Sequence, residues 1–204
     1  MQIADMHTHK RGVNRFSLVS SLNSDVAEFV SLEMHPWHLP EKFLAPGADF
    51  IEKASCCAAV GEVGLDKLRG PDIAVQRRYL DWVLETAASL RKPVVIHCVR
   101  SEAELLSALK GFPCNVLVHG FNGGARQLAK YIEAGFFISF SKISNPSMAD
   151  FLASEGLRNT GLESDDTKLD IEAVFENLKS YPFMENSAEN SLETFRRFLK
   201  YDGA

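Results

Sequence analysis

"PVVIHCV", residues 93–99, is a β-branched, apolar run carrying one strongly polar side chain, His97. Such a run reads as a strand buried on both faces, the pattern of parallel sheets flanked by helices. Just upstream, "DIAVQRRYLDWVLETAASLRK" (72–92) sets Ile73, Leu80, Val83, Leu84, Ala87 and Leu90 at helical spacing, with Pro71 before the start. Before that, "CCAAVGEVGL" (56–65) reads as another buried strand. Downstream, Ser101 through Glu104 forms a capping box for a helix carrying Leu105, Leu106 and Leu109. "CNVLVHGF" (114–121) repeats the strand, and "GGARQLAKYIEAG" (123–135) repeats the helix with Gly135 as its C-cap. "FFISFS" (136–141) and "TGLESDD" (160–166) supply two further strands. Helices are expected over 170–179 and 188–200, the second opened by a box from Asn190 to Glu193. This alternation argues a parallel α/β architecture, which a closed barrel and a doubly wound sheet satisfy equally.

The N-terminal third is less regular. "FSLVSS" (16–21) and "EFVSLEM" (28–34) both look like strands, yet only residues 22–27 separate them. A parallel crossover ordinarily takes a dozen residues or more. Either the two pair antiparallel through a turn at Asn23-Ser24-Asp25, or one of them is not a strand.

The chain has 204 residues, 46% hydrophobic and 24% charged, which suits a single domain over 1–204 with one sizeable core. No apolar run is long enough to span a bilayer, and no basic-then-apolar leader is visible, so a cytoplasmic protein is expected. Cys56, Cys57, Cys98 and Cys114 lack CxxC spacing and read as reduced thiols, with Cys56 and Cys57 in the core. The net charge of −5 argues against nonspecific grip on long duplex DNA.

Polar residues interrupt the apolar runs in a pattern. His7 and His9 close the first run; Glu62, His97, His119 and Asp165 follow later ones, each expected at or near the C-terminal end of a strand. In parallel α/β folds those ends form one rim, where sites are built. A lone histidine there is ordinarily a satisfied core residue. Six donors on five strand ends are most simply explained by shared cations. His7 and His9, two apart on a strand, face the same side and can reach one ion at about 2.0–2.1 Å. Nitrogen and carboxylate donors suit zinc, manganese or iron better than calcium.

The stretches "DMHTH", "EMHPW", "VGEVGLD", "PVVIHC", "LVHGFNGG", "FFISFS" and "LESD" occur in this order over about residues 5–166. In them the chain resembles the TatD-related metal-dependent deoxyribonucleases, within the wider amidohydrolase-like barrel superfamily. The resemblance implies a TIM-type (β/α) barrel, here distorted and with abbreviated N-terminal βα units, holding two divalent ions (Zn, Mn or Mg). It assigns His7, His9 and Asp165 to one ion and His97 and His119 to the other, with Glu62 bridging. It makes Asp165 the general base on the attacking water, with Glu62 the second catalytic carboxylate. His35 matches the family's "HP" histidine near the substrate, and Arg100, one place later than the usual arginine, would meet a substrate phosphate. Asp66 would hydrogen-bond near the site, and Glu163 would be a structural ion-pair partner. Asp166 and Thr167 stand where the family has a small residue and a proline, which alters the rim beside Asp165.

The reaction so implied is hydrolysis of phosphodiester bonds in DNA ends or short single strands. Two divalent ions outweigh Glu62 and Asp165, so the centre stays positive enough for a phosphodiester, and bound metal lowers the pKa of water. The alternatives are a hydrolase of a small amide, lactone or phosphoester, and a non-catalytic metal-binding protein. The expected partner is DNA or a small phosphodiester, with neither a membrane nor an obligate protein partner.

Overall fold

The computed structural model describes residues 2–10, 15–23, 27–185 and 187–201. The chain divides into two compact units, Ser20–Val116 and Met1–Val19 with Leu117–Ala204.

In the unit Ser20–Val116, β3 (Phe29–Leu32), β4 (Ala59–Asp66) and β5 (Val94–Val99) are parallel neighbours. They alternate with α1 (Ala48–Cys56), α2 (Ile73–Leu90) and α3 (Glu102–Ala108). Helix α2 starts at its Asp72 cap, whose Oδ1 accepts from Ala74 N at 2.8 Å. Leu80, Val83, Leu84 and Ala87 form its buried stripe, packed on β4. Each of the three larger side chains contributes roughly 1.5–3 kcal/mol by leaving water. Ser101 does precede α3, but its hydroxyl donates to Leu65 O on β4 at 2.8 Å and makes no cap bond. The expected capping box is therefore a tie between helix and strand. Helix α1 escaped the sequence reading, and it takes Cys56 out of the expected strand: Cys56 is exposed and only Cys57 is buried.

The strand β2 (Ser17–Ser21) begins in the other unit and ends in this one. Both N-terminal runs are strands, and the antiparallel hairpin is corrected. Glu33 N donates to Ser21 O at 2.9 Å, so the C-terminal ends of β2 and β3 lie side by side, as in a parallel pair. Residues 22–28 suffice because seven extended residues reach about 23 Å, more than a five-residue strand. A crossover needs a dozen residues only when it carries a helix. Ser24 and Asp25 of the expected turn lie outside the described residues.

In the second unit β1 (Asp5–Thr8) pairs parallel with the start of β2. The strand β6 (Val116–Val118), which starts at the unit boundary, pairs with β7 (Phe137–Phe140), and β7 with β8 (Thr160–Leu162), all parallel. Thr8 bridges Asp165, which sets β8 beside β1. Helix α4 (Ala125–Glu133) is followed by Gly135 at φ 81°, the left-handed stop expected there. α5 (Pro146–Glu155), missed in the sequence, is capped by Asn145, whose side chain accepts from Met148 N. α6 (Ile171–Leu178) and α7 (Ser187–Leu199) follow. Helix α7 begins ahead of the Asn190–Glu193 box, which therefore lies within it. Its fully buried Phe195 and Phe198 anchor it, and it packs on β8 and β1. Among the described residues no helix is long and apolar enough to cross a membrane.

Candidate metal centre

In the unit that holds both chain ends, β1 buries His7 completely, while His9, just past the strand, keeps 35% of its side chain exposed. Their ring centroids are 5.0 Å apart. Asp165 follows β8 with φ 49°, a left-handed turn that aspartate tolerates better than most residues. Its N–H donates to His7 O at 3.0 Å, and its Oδ1 stands 3.6 Å from His7 Nε2 and 3.7 Å from His9 Nε2. Donors about 2.1 Å from a shared cation stand roughly 3–3.5 Å from each other, so these three fit one ion after a small contraction. Ser164 locks the turn: its N–H and hydroxyl donate to Asp5 at 2.9 and 2.7 Å, and its Oγ is 2.8 Å from Thr8 Oγ1.

His119, directly after β6, brings its ring centroid within 4.1 Å of that of His7. Glu163 lies beside it, with Oε2 3.8 Å from His119 Nδ1. Glu163 is buried and accepts from Gly120 N at 2.7 Å and from Ser139 Oγ at 2.6 Å. His119, Glu163 and Asp165 form a second donor group in this unit. Glu163 is thus the expected ion-pair partner, with His119, and also belongs to this donor group.

The other unit gathers His35, Glu62 and His97. Glu62 Oε1 is 2.8 Å from His97 Nδ1 and 3.0 Å from His35 Nε2. His35 Nδ1 accepts from Trp37 N at 3.1 Å, so in neutral His35 the proton is on Nε2 and points at Glu62. His97 Nε2 is 3.1 Å from Asp66 Oδ2. Whichever ring nitrogen took a metal, the other would stay on a carboxylate, the usual device for aiming a ligating imidazole. Asp66 is itself held by Trp37 Nε1 at 2.6 Å and by the N–H groups of Leu68 and Arg69. Burial raises its pKa, but these hydrogen bonds and His97 outweigh that and hold it below the usual carboxylate value. Buried Gln76 fastens the following loop through the carbonyls of Asp66, Arg69 and Pro71.

Not every donor ends a strand. Glu62 and His97 sit fourth in β4 and β5, inside their strands. Gly61 and Gly64 let β4 press this close to β5: a Cβ at Gly61 would overlap the Val95 carbonyl and one at Gly64 that of His97. Arg100 stands exposed just past β5, with φ 54°. His38 is 74% exposed and 3.8 Å from Glu33. Trp37 and Gln76 were not singled out in the sequence. Their roles depend on partners 29 and 10 residues away, which no local pattern reveals.

Two acids here favour their protonated forms. Burial pushes Asp5 up to about 6, against the pull of its Ser164 hydrogen bonds. Burial also pushes Glu163 up to about 7; His119 opposes this and the Asp165 charge adds to it. An acid with a raised folded pKa stabilises most below its unfolded pKa, and that contribution is lost as pH rises through the folded value. Metal-free protein should therefore lose stability from these groups between about pH 4 and 7. Asp5 accounts for roughly 3 kcal/mol of this at about 1.4 kcal/mol per pKa unit. Urea titrations of metal-free wild type and Asp5→Asn at pH 4 and pH 7 should show a smaller pH difference in the variant. Equal differences would refute the assignment.

The residues present suit divalent cations: imidazole nitrogens and carboxylate oxygens converge in groups whose ligand atoms lie within 4.8 Å of one another. Comparison with known proteins agrees. An uncharacterized metal-dependent hydrolase of Escherichia coli K12, YjjV, is 30% identical over 152 residues, covering 67% of this chain and 57% of its own length. An uncharacterized metal-dependent hydrolase named TatD from Mycobacterium tuberculosis is 32% identical over 91 residues, 41% of this chain and 34% of that one. The match thus spans between about a third and little more than half of the length of these curated relatives. The crystal structure of YjjV matches at TM-score 0.67 and 22% identity, over 89% of this chain and 85% of that one. A hydrolase TatD family protein of Entamoeba histolytica matches at TM-score 0.69 and 13% identity, over 97% and 98%. These likenesses show the fold, the TIM-type (β/α) barrel class. The family model described as TatD related DNase runs over residues 4–172, from before His7 to beyond Asp165, and the chain belongs to that family.

Proposed function

We propose that residues 1–204 act as a single divalent-metal-dependent hydrolase domain that cleaves phosphodiester bonds in DNA ends or short single strands. The observation that carries this reading is the donor chemistry: His7, His9 and Asp165 converge in one unit, and His35, Glu62 and His97 in the other, in a chain of the TatD-related DNase family. Zinc, manganese or magnesium held by such donors would neutralise phosphate charge and lower the pKa of water. In this reading His7, His9 and Asp165 hold one ion, His97 and His119 hold another, and Glu62 serves both, as the family resemblance implies. Asp165, 26% exposed, takes the proton of the attacking water. Asp66 holds His97 in place. His35 and Arg100 face the substrate, and the place of action is the cytoplasm.

The test pairs elemental analysis with a nuclease assay. Protein stripped with chelator should not cut a short single-stranded oligonucleotide, and added Mg²⁺ or Mn²⁺ should restore cutting. Metal-independent cleavage, or cleavage retained by Glu62→Ala, defeats the reading. Hydrolysis of small amides or lactones without any DNA cleavage would put that substrate class first.

A further inference from the structure

Beside the His35–Glu62–His97 group, within the same unit, lies a cavity of about 480 Å³. That volume falls in the range of small-ligand pockets, about 300–1,000 Å³. Its walls are mainly apolar, with Leu22, Met34, Leu39, Leu44, Phe50 and Tyr79 among them. Leu22 and Leu44 are each 67% exposed, an unusual cost for two leucines lining one hollow.

The cavity is tied to the metal group directly. Met34 N donates to Glu62 O at 2.9 Å, and His35, another lining residue, reaches the Glu62 carboxylate at 3.0 Å. Its polar side chains are few. Glu33 is 13% exposed, with Oε1 3.8 Å from His38 Nδ1, beyond hydrogen-bond range. Among the described residues neither lysine nor arginine lines it. A carboxylate in an apolar cavity without a strong cation repels phosphate and accepts hydrogen bonds from neutral N–H donors. Apolar walls that include Phe50 and Tyr79 suit an uncharged ring better than a phosphate or a sugar. A carboxylate also recognises an exocyclic amino group such as N4 of cytosine.

We infer that this cavity is a nucleobase subsite, in which Glu33 accepts from the exocyclic amino group of the base next to the scissile phosphate. It confers a preference for bases that carry an exocyclic amino group, cytosine among them, over thymine. The inference rests on the nuclease reading for the phosphate, but the cavity's chemistry stands on its own residues.

The test compares short dC and dT oligonucleotides with holoenzyme at equal metal. Wild type should cut dC at least about tenfold faster in kcat/KM, the factor that corresponds to 1.4 kcal/mol. Glu33→Met should bring the two rates together. Leu44→Arg, at an exposed position that folding does not need filled, should raise KM for dC more than it lowers kcat. Equal wild-type rates on dC and dT overturn the subsite and leave the nuclease reading intact. If neither oligonucleotide is cut, the nuclease reading fails, and binding alone decides the subsite. Deoxycytidine, but not thymidine, should then shift the Met34 methyl resonance in wild type and not in Glu33→Met. No shift with deoxycytidine overturns the subsite too.

Discussion

Asp165→Asn is expected to lower metal-dependent turnover by about 10²–10⁴-fold while leaving the fold intact. The side chain is near-isosteric, and the backbone bonds that seat it, Asp165 N to His7 O and His9 N to Asp165 O, do not depend on its charge. What disappears is a carboxylate oxygen 3.6–3.7 Å from two imidazole nitrogens. In the proposed reaction the Asp165 carboxylate would hold a metal through one oxygen and take the proton on the other, and a positioned general base alone is worth about 10²–10⁴-fold. Two measurements check this: single-turnover cleavage at saturating Mn²⁺, and the melting temperature of stripped protein. Near-wild-type cleavage would remove Asp165 from the chemistry. A large fall in the metal-free melting temperature would mean that its role is structural.

Gly61→Ala should be among the most damaging single changes to stability near the site. Gly61 has φ 130°, which side-chain-bearing residues rarely adopt. An added Cβ would overlap the Val95 carbonyl and stand 2.9 Å from Val95 N and 3.0 Å from Val95 C, all backbone of β5. No rotamer change relieves a clash with backbone, so β4 and β5 must part. Backbone strain costs about 1–3 kcal/mol and overpacking a similar amount, so a loss of about 3 kcal/mol or more is expected. For a chain of this size that lowers the melting temperature by roughly 6–12 °C. Glu62 and His97 sit on the two strands that separate, so metal affinity should fall as well. A variant that melts with wild type would show that β4 does not need this close approach.

The strands from β4 onward, α2, α4 and the histidine–carboxylate pattern were legible because each has a local signature. Leu80, Val83, Leu84 and Ala87 announce α2 by their spacing, and His97 stands out because nothing else polar breaks its run. Helices α1 and α5 were missed because the Gly47 and Asn145 starts lie in loop-like sequence. Hydrophobic period and donor order belong to the sequence itself, and from them came the parallel α/β class and the candidate ligands.

Only tertiary structure decided the rest. The parallel setting of β2 and β3 depends on which strand ends meet, and chain length bounds that without choosing it. Ser101 leaves its expected cap because Leu65 O, 36 residues away, offers its hydroxyl a buried acceptor. Asp66 becomes the support of His97, and Glu163 a neighbour of His119, through contacts 31 and 44 residues apart in the chain. The cavity around Glu33 exists because folding gathers residues as far apart in the chain as Leu22, Phe50 and Tyr79. The sequence by itself marked His7, His9, Glu62, His97, His119 and Asp165 as candidate ligands; burial and long-range contacts, which no local pattern carries, brought His35 and Glu163 into the donor groups and set what lies beside them.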